Sequence, residues 1–254
     1  MGWNPDQYEL FRAARERPGQ DLIRALPPLA PERIVDLGCG TGYLTRQLAD
    51  NYPHARVIGV DNDRAMLAKA AHEPSGVVWE LGDAAQWRPE RPMDLIFSNA
   101  ALHWLPRHGA LFGHLAGALA ADGVLAIQMP RNFDAPSHRL LRDLAGEPEW
   151  EEALHGALDH ENVLTPDAYW RVLRPYCRTV EIWETEYLHA LPGPDPVLEW
   201  VKGTTLLPVM LRLDEDAAAR FRDAYAQSLR HAYPAETDGT TLFPFRRLFI
   251  IAQK

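Results

Sequence analysis

The chain has almost no cysteine: two in 254 residues, Cys39 and Cys177, with no C-x-x-C pair. That scarcity excludes a disulfide framework and points to a reducing, cytoplasmic setting. Long apolar runs are missing too. No stretch reaches the ~18 residues of a membrane span, so no membrane partner is expected. Positive charge is in deficit, with 26 Lys and Arg against 35 Asp and Glu and a net charge of −9. Binding to nucleic acid through phosphate neutralisation is therefore not expected. The ten histidines are scattered, without H-E-x-x-H or other metal-ligand spacing, and no metal is expected. The start, Met1-Gly2-Trp3-Asn4-Pro5-Asp6, lacks a basic and apolar leader, and Asp6 stands where N-myristoylation wants Ser or Thr. What remains is a globular protein whose 46% apolar residues suffice for a full core.

The most informative string is Ile34-Val35-Asp36-Leu37-Gly38-Cys39-Gly40-Thr41-Gly42. An apolar run ends in an acid, glycines follow at alternate positions, and a periodic segment with Leu44 and Leu48 comes next. The pattern predicts a buried parallel strand, a tight turn and a helix start. Glycines suit such a turn because they accept φ > 0 and let a ligand lie against bare backbone. The helix N-terminus behind them offers free N–H groups. The spacing departs from the dinucleotide G-x-G-x-x-G, which disfavours a nicotinamide-linked oxidoreductase. An ordinary glycine-rich turn in an α/β protein is the plainer alternative.

Two further acids stand at predicted strand ends. Val57-Ile58-Gly59-Val60-Asp61 puts a carboxylate about 20 residues past the glycines, where a doubly wound fold grips ribose hydroxyls. A carboxylate can accept from both hydroxyls of a vicinal diol. The plainer reading makes it a helix cap, a role open to Asn62 or Asp63 as well. Val77 to Ala84 predicts a third strand followed by Gly82-Asp83, and an Asp there could be no more than a turn residue. A fourth strand, 93–98, precedes Asn99-Ala100-Ala101-Leu102-His103-Trp104-Leu105. Trp104 could pack under the next helix or wall a cationic ligand.

Strands near 33–37, 56–60, 77–80, 93–98 and 123–128 alternate with helices near 42–51, 63–71 and 107–120. Asp122-Gly123 reads as a break before the fifth strand. This alternation argues an α/β doubly wound, Rossmann-like parallel sheet. Residues 130–175 turn helical, 178–188 alternate as a long strand, helices are expected near 197–206 and 217–230, and 245–252 reads as a last strand. The expectation is one domain: an N-terminal arm and helix over 1–27, a core over 28–130, and the rest of the sheet over 131–254 with a helical cap near 190–235.

The glycine string with its leading acid resembles motif I of the class I S-adenosylmethionine (SAM) methyltransferases. Four more strings extend the likeness along nearly the whole chain: Trp3-Asn4-Pro5-Asp6-Gln7-Tyr8, residues 98–105, Glu199-Trp200-Val201-Lys202-Gly203-Thr204 and Phe243-Pro244-Phe245-Arg246-Arg247-Leu248-Phe249. Together they resemble the family of trans-aconitate 2-methyltransferases, which makes a monomethyl ester of trans-aconitate and S-adenosylhomocysteine. The resemblance implies a seven-stranded, mostly parallel sheet with an antiparallel C-terminal strand. It implies cofactor contacts at Asp36, Gly38, Cys39, Gly40, Gly42, Asp61, Asn62, Asp83, Ala84 and Asn99. Of the basic residues on the N-terminal arm, Arg15 is expected at the SAM carboxylate. Acceptor contacts are expected at Tyr8, His103, Trp104, Arg131 and Lys202. A carboxylate acceptor is already ionised at pH 7, so no catalytic base is assigned. A different small acid or hydroxyl as acceptor, and a module that holds SAM without turnover, are the competing expectations.

Overall fold

The computed structural model describes residues 12–158 and 162–254. Seven strands form one sheet in the order β3-β2-β1-β4-β5-β7-β6. They are β1 (Arg33–Leu37), β2 (Arg56–Asp61), β3 (Val78–Leu81), β4 (Met93–Asn99), β5 (Leu119–Pro130), β6 (Thr179–Leu191) and β7 (Thr241–Gln253). β1 pairs in parallel with β2 and β4, β2 with β3, and β4 with β5, whereas β7 runs antiparallel to β5. The chain moves outward from β1 to β3, then returns to the other side of β1 for β4. Ligands of open α/β sheets bind outside the strand carboxyl ends at such a reversal.

The described residues divide into two compact units. The larger comprises Glu16–Pro130, Asn162–Thr185 and Arg247–Lys254. Its central strands are covered on both faces and so are largely apolar. Ile34, Val35, Leu37, Leu95, Ile96, Phe97, Leu125 and Ile127 are all fully buried. The helices here are α2 (Tyr43–Asn51), α3 (Arg64–His72), α4 (His108–Gly117) and α7 (Pro166–Leu173), with α1 (Arg12–Arg24) preceding β1. Asp63 caps α3, accepting from the N–H of Ala65 at 2.7 Å and of Met66 at 3.4 Å, which settles the choice among neighbouring caps.

The second unit is largely helical: α5 (Pro136–Ala145), α6 (Glu151–Leu154), α8 (Pro196–Lys202), α9 (Leu207–Met210) and α10 (Glu215–Ala232). Phe221, Tyr225 and Leu229 recur every fourth residue on α10 and enter a core with Trp150, Trp200 and Phe243. The Tyr225 hydroxyl donates to the Ser137 carbonyl at 2.8 Å, and the Ser137 N–H donates to the Tyr233 hydroxyl at 3.0 Å. These bonds satisfy polar groups in an otherwise apolar interior.

Three expectations need adjustment. Asp122-Gly123 does not break the chain before a strand. β5 begins at Leu119 and passes through the pair, with an irregular register opposite Met93 and Leu95. Asp122 has φ +62°, and a Cβ at position 123 would lie 2.7 Å from the Met93 carbonyl oxygen. The pair therefore makes a bulge, and α4 ends three residues earlier than expected. The helix expected over 197–206 ends at Lys202, and a separate short one follows at Leu207–Met210. β7 starts at Thr241 and includes Pro244, in the stretch beyond its pairing with β5. The missing proline N–H breaks no β5–β7 bond there.

Backbone shape in the turn after β1 is set by Gly38, Gly40 and Gly42, with φ of +77°, +55° and +76°. At Gly42 a Cβ would also stand 2.3 Å from Cη2 of Trp79, whose ring lies against Gly59 as well. Gly42→Ala is expected to cost about 2–4 kcal/mol, left-handed strain plus displacement of the indole, in urea denaturation. Gly40→Ala, where a Cβ meets nothing within 4 Å, should cost only about 1–2 kcal/mol. Equal costs would mean that Trp79 yields freely.

Candidate active site at the strand carboxyl ends

The larger unit gathers most of the expected site residues at the carboxyl ends of β1 to β4. Asp61, last in β2, is the tie between them. Its Oδ2 accepts from the Gly40 N–H at 2.8 Å and its Oδ1 from the Asp63 N–H at 2.9 Å. Its backbone carbonyl takes the Gly82 N–H at 3.0 Å. The N–H groups of Gly38 and Cys39 donate to the Val60 carbonyl at 2.8 and 3.0 Å. The glycine turn is thus fastened to the tip of β2 through main chain and carboxylate together. Asp61 remains partly exposed, and an ionised carboxylate has about four lone-pair sites, so acceptor capacity is left over.

Asp36 is only 2% exposed and accepts from the Thr45 hydroxyl at 2.6 Å. Burial, opposed by that hydrogen bond and reinforced by nearby Asp61, raises its pKa to about 7. A cation brought beside it would restore the ordinary ionised state. Cys39 is half-buried, and burial with the two acids raises its thiol pKa, so it behaves as an inert packing residue. Asp83 accepts from the Ala85 N–H at 2.8 Å and from Gln86 Nε2 at 3.1 Å, shaping its own turn, with Ala84 half-buried beside it. Asn62 is exposed between the two acids of the β2 tip.

Beyond β4 the backbone is strained. Ala100 has φ +53°, held by its N–H donating to the Gln128 carbonyl at 2.9 Å, and Ala101 abuts Gly38, where a Cβ would lie 2.1 Å away. Such strain costs about 1–3 kcal/mol and tends to mark functional segments. His108, on α4, anchors the following turn through its Nε2 to the Leu102 carbonyl at 3.0 Å, while its Nδ1 meets the Tyr169 hydroxyl. The His103 ring, 4.6 Å from Trp104, has its pKa lowered to about 3, first by burial and then by the charges of Arg247 and His108. It is a neutral imidazole at pH 7. Trp104 is 53% exposed.

Several buried polar atoms here have no hydrogen-bond partner among the described residues: Oδ1 of Asn99, Nδ1 of His103, and both Oε1 and Nε2 of Gln128. A buried polar atom left unmatched costs about 1–3 kcal/mol, so such a cluster is a reason to look for a ligand. Gln128 was not singled out in the sequence. The available signal was one amide inside the apolar run of β5, Val124-Leu125-Ala126-Ile127-Gln128-Met129.

The remaining expected residues fall in the second unit or outside the described residues. In the second unit, Arg15 donates to the Trp200 carbonyl at 3.1 Å, with its guanidinium 5.1 Å over the Trp200 ring. Lys202 is exposed and pairs with Glu199 at 3.2 Å along one helix face. The Arg131 N–H donates to the Arg246 carbonyl at 3.0 Å, extending β5–β7 pairing by one residue. Tyr8 lies outside the described residues. Among the described residues, no helix is long and apolar enough to cross a membrane.

Residues 34–123, which contain the glycine turn and the β2, β3 and β4 tips, match a family model described as a methyltransferase domain. The chain is 48% identical to the trans-aconitate 2-methyltransferase of Streptomyces coelicolor, over 99% of this chain and 86% of that protein. It is 44% identical to the enzyme of that name from Methylobacterium nodulans, over 99% and 98%, and 44% identical to that of Pseudomonas aeruginosa, over 98% and 93%. Among solved structures, an S-adenosylmethionine-dependent methyltransferase from Mesorhizobium loti has the same fold, with TM-score 0.54, 20% identity, and 96% of this chain and all of that one covered. Phosphoethanolamine N-methyltransferase 2 of Haemonchus contortus, solved with S-adenosyl-L-methionine, matches at TM-score 0.55 and 16% identity over 94% of this chain and 52% of that one. Identity of this level along nearly the full length of several proteins of one name shows that the chain belongs to the family of trans-aconitate 2-methyltransferases.

Proposed function

We propose that the protein transfers the methyl group of SAM to a carboxylate of trans-aconitate, releasing the monomethyl ester and S-adenosylhomocysteine, as a single methyltransferase domain. The reading is carried by identity with enzymes of that name over 99% of the chain. The residues present fit the cofactor. Open space lies beside Gly40, where a Cβ would meet nothing within 4 Å, and Oδ1 of Asn99 is an unmatched buried acceptor. When bound, SAM supplies an electrophilic methyl group on a sulfonium.

The protein's part is binding and alignment. Asp61 offers its free lone pairs to the ribose hydroxyls, with Asn62 beside it, and Asp83 and Ala84 offer an acceptor and an N–H to the adenine edge. Asp36 and Asn99 serve the ammonium of the amino-acid end, and Gly38, Cys39, Gly40 and Gly42 give that end a bare backbone floor. His103 and Trp104 are proposed as acceptor contacts. In the second unit Arg131 is proposed as a cation for the acceptor. Lys202, held by Glu199, and Arg15, held by Trp200, would first have to leave those partners.

The electrostatics favour an acid over a hydroxyl as acceptor. A hydroxyl would need a base of pKa near 7, and His103 at about 3 is a poor one. A carboxylate, with pKa near 4, arrives ionised. Orientation of two bound reactants can then supply about 7–11 kcal/mol of the barrier. The direct test is incubation with labelled SAM and a panel of tricarboxylates and hydroxy acids, with mass spectrometry of the products. Label in a trans-aconitate monoester is expected; label only in an ether, or in no product, would reject the reading.

Asp61 has two roles that its substitutions separate. Asp61→Ala removes the ribose acceptor and leaves the Gly40 and Asp63 N–H groups unmatched. S-adenosylhomocysteine affinity should fall at least about tenfold in calorimetry, with about 1–2 kcal/mol of stability lost. Asp61→Asn keeps one acceptor oxygen and should recover part of both. Unchanged affinity in Asp61→Ala would remove the ribose role.

Asp36 makes the same affinity depend on pH. Its folded pKa, about 7, lies above the ordinary carboxyl value of 3.8. The ligand-free fold therefore holds this proton more tightly than the unfolded chain. The contribution is fully present below about pH 4 and is lost as pH rises through about 7. Binding runs in the opposite sense, because an ammonium prefers the ionised carboxyl. Affinity for S-adenosylhomocysteine should strengthen from pH 5 to about 7, by up to about tenfold per unit, and then level. In Asp36→Asn that rise should vanish; a rise that survives the substitution assigns it to another group.

A further inference from the structure

Gln128 is the one fully buried amide of β5, and neither end of it is matched among the described residues. Its register neighbours are Asn99 on β4 and Phe249 on β7, so the three side chains share one face of the sheet. Arg247, 6% exposed, is two residues along β7 on that face, opposite Pro130. It therefore stands one pleat nearer the carboxyl end of β5 than Gln128 does, at a diagonal distance that long side chains bridge. The Arg247 charge is also felt by His103, whose Nδ1 is unmatched. Amide and guanidinium donors thus gather at the β4–β5–β7 end. The glycine turn and Asp61 lie at the β1–β2 end, with Asn99 between.

Resting on the function proposed above, we propose that Gln128 and Arg247 form a subsite for a non-reacting carboxylate of the acceptor. The Gln128 amide donates an N–H, and the Arg247 guanidinium supplies charge and a planar pair of donors suited to two oxygens. The carboxylate held there is a non-reacting one, because donors of this strength withdraw the electron density that attack on the methyl group requires. Gln128 is then a specificity residue, and a monocarboxylic acceptor has nothing to place against it. The other source of a carboxylate is the amino-acid end of the cofactor, and the two make opposite predictions.

The test substitutes Gln128 by Met, which keeps length and volume and removes both polar ends. The unaltered protein is first assayed with the acid panel, and KM is followed for whichever polycarboxylic acid it esterifies. If that acid is not trans-aconitate, the substrate assigned above fails while the subsite is still scored. Q128M should raise KM about 10–100-fold for the polycarboxylic acid, leave a monocarboxylic acceptor within about twofold, and leave S-adenosylhomocysteine affinity within about twofold. Weakened S-adenosylhomocysteine binding with unchanged acceptor KM would hand the amide to the cofactor and overturn the proposal. Unchanged kinetics with a higher melting temperature would overturn it too, by making Gln128 an unmatched core residue. If no acid is esterified, calorimetry of tricarballylate with the S-adenosylhomocysteine-bound protein replaces KM: binding lost in Q128M supports the subsite, and binding kept, or no binding by either protein, rejects it. Arg247→Lys keeps the charge without the planar fork and should give an intermediate KM; a KM equal to the unaltered protein's would remove Arg247 from the subsite.

Discussion

One carboxylate organises the strand ends. Asp61 holds the Gly40 N–H with one oxygen and the Asp63 N–H with the other. Asp63 in turn caps α3, and the Asp61 carbonyl holds the turn after β3 through Gly82. The glycine loop, the start of α3 and the β3 turn are therefore positioned relative to one another by a single residue. The glycines make the loop possible by accepting positive φ; Asp61 selects one shape from the many they permit. Each such bond is worth only about 1 kcal/mol net, so the value lies in preorganisation. A loop already fastened loses less freedom when a ligand arrives.

The parts of this arrangement legible in the sequence were those with a local cause. Central strands buried on both faces must be continuous apolar runs, and β1, β2 and β4 announce themselves that way. The acids sit directly after those runs, so their placement at strand tips follows. What the sequence hid depends on partners far along the chain. Asp122-Gly123 has the composition of a break, yet Met93 opposite turns it into a bulge. Gln128 looks like noise inside an apolar run until its neighbours fail to match it. Arg247 stood next to Arg246 as one of two equivalent basic residues, and only the alternation of β7 buries one and exposes the other. The Lys202–Glu199 pair is the exception, a local one: the two are three apart, a spacing that makes them neighbours on a helix.

Burial pushes Asp36 and His103 toward neutrality from opposite directions. Asp36 is raised to about 7 and His103 lowered to about 3, as expected when charge is moved out of water. A neutral imidazole and a half-protonated acid suit a reaction that needs no proton removed from its nucleophile. They also leave the site responsive to the charges a ligand carries. An ammonium beside Asp36 draws the carboxyl fully into its ionised form, which makes the acid a partner for a cation while it carries only part of a charge in the empty fold.

The remaining difficulty is sign. A protein of charge −9 would be a poor host for a tricarboxylate if distance did not matter. At physiological ionic strength the screening length is about 8 Å, so acids scattered over the surface slow the approach of an anion while contributing little once it is inside. Within that radius the local groups decide, and inside a dry site they act through a lower dielectric than water provides. A buried guanidinium such as Arg247, set on the same face as an amide with no partner among the described residues, can outweigh a surface of opposite sign. Its influence on His103 shows that its field reaches the candidate site. The net charge of the chain is thus informative about nucleic acids, which engage a broad surface, and uninformative about a small anion that engages two or three side chains.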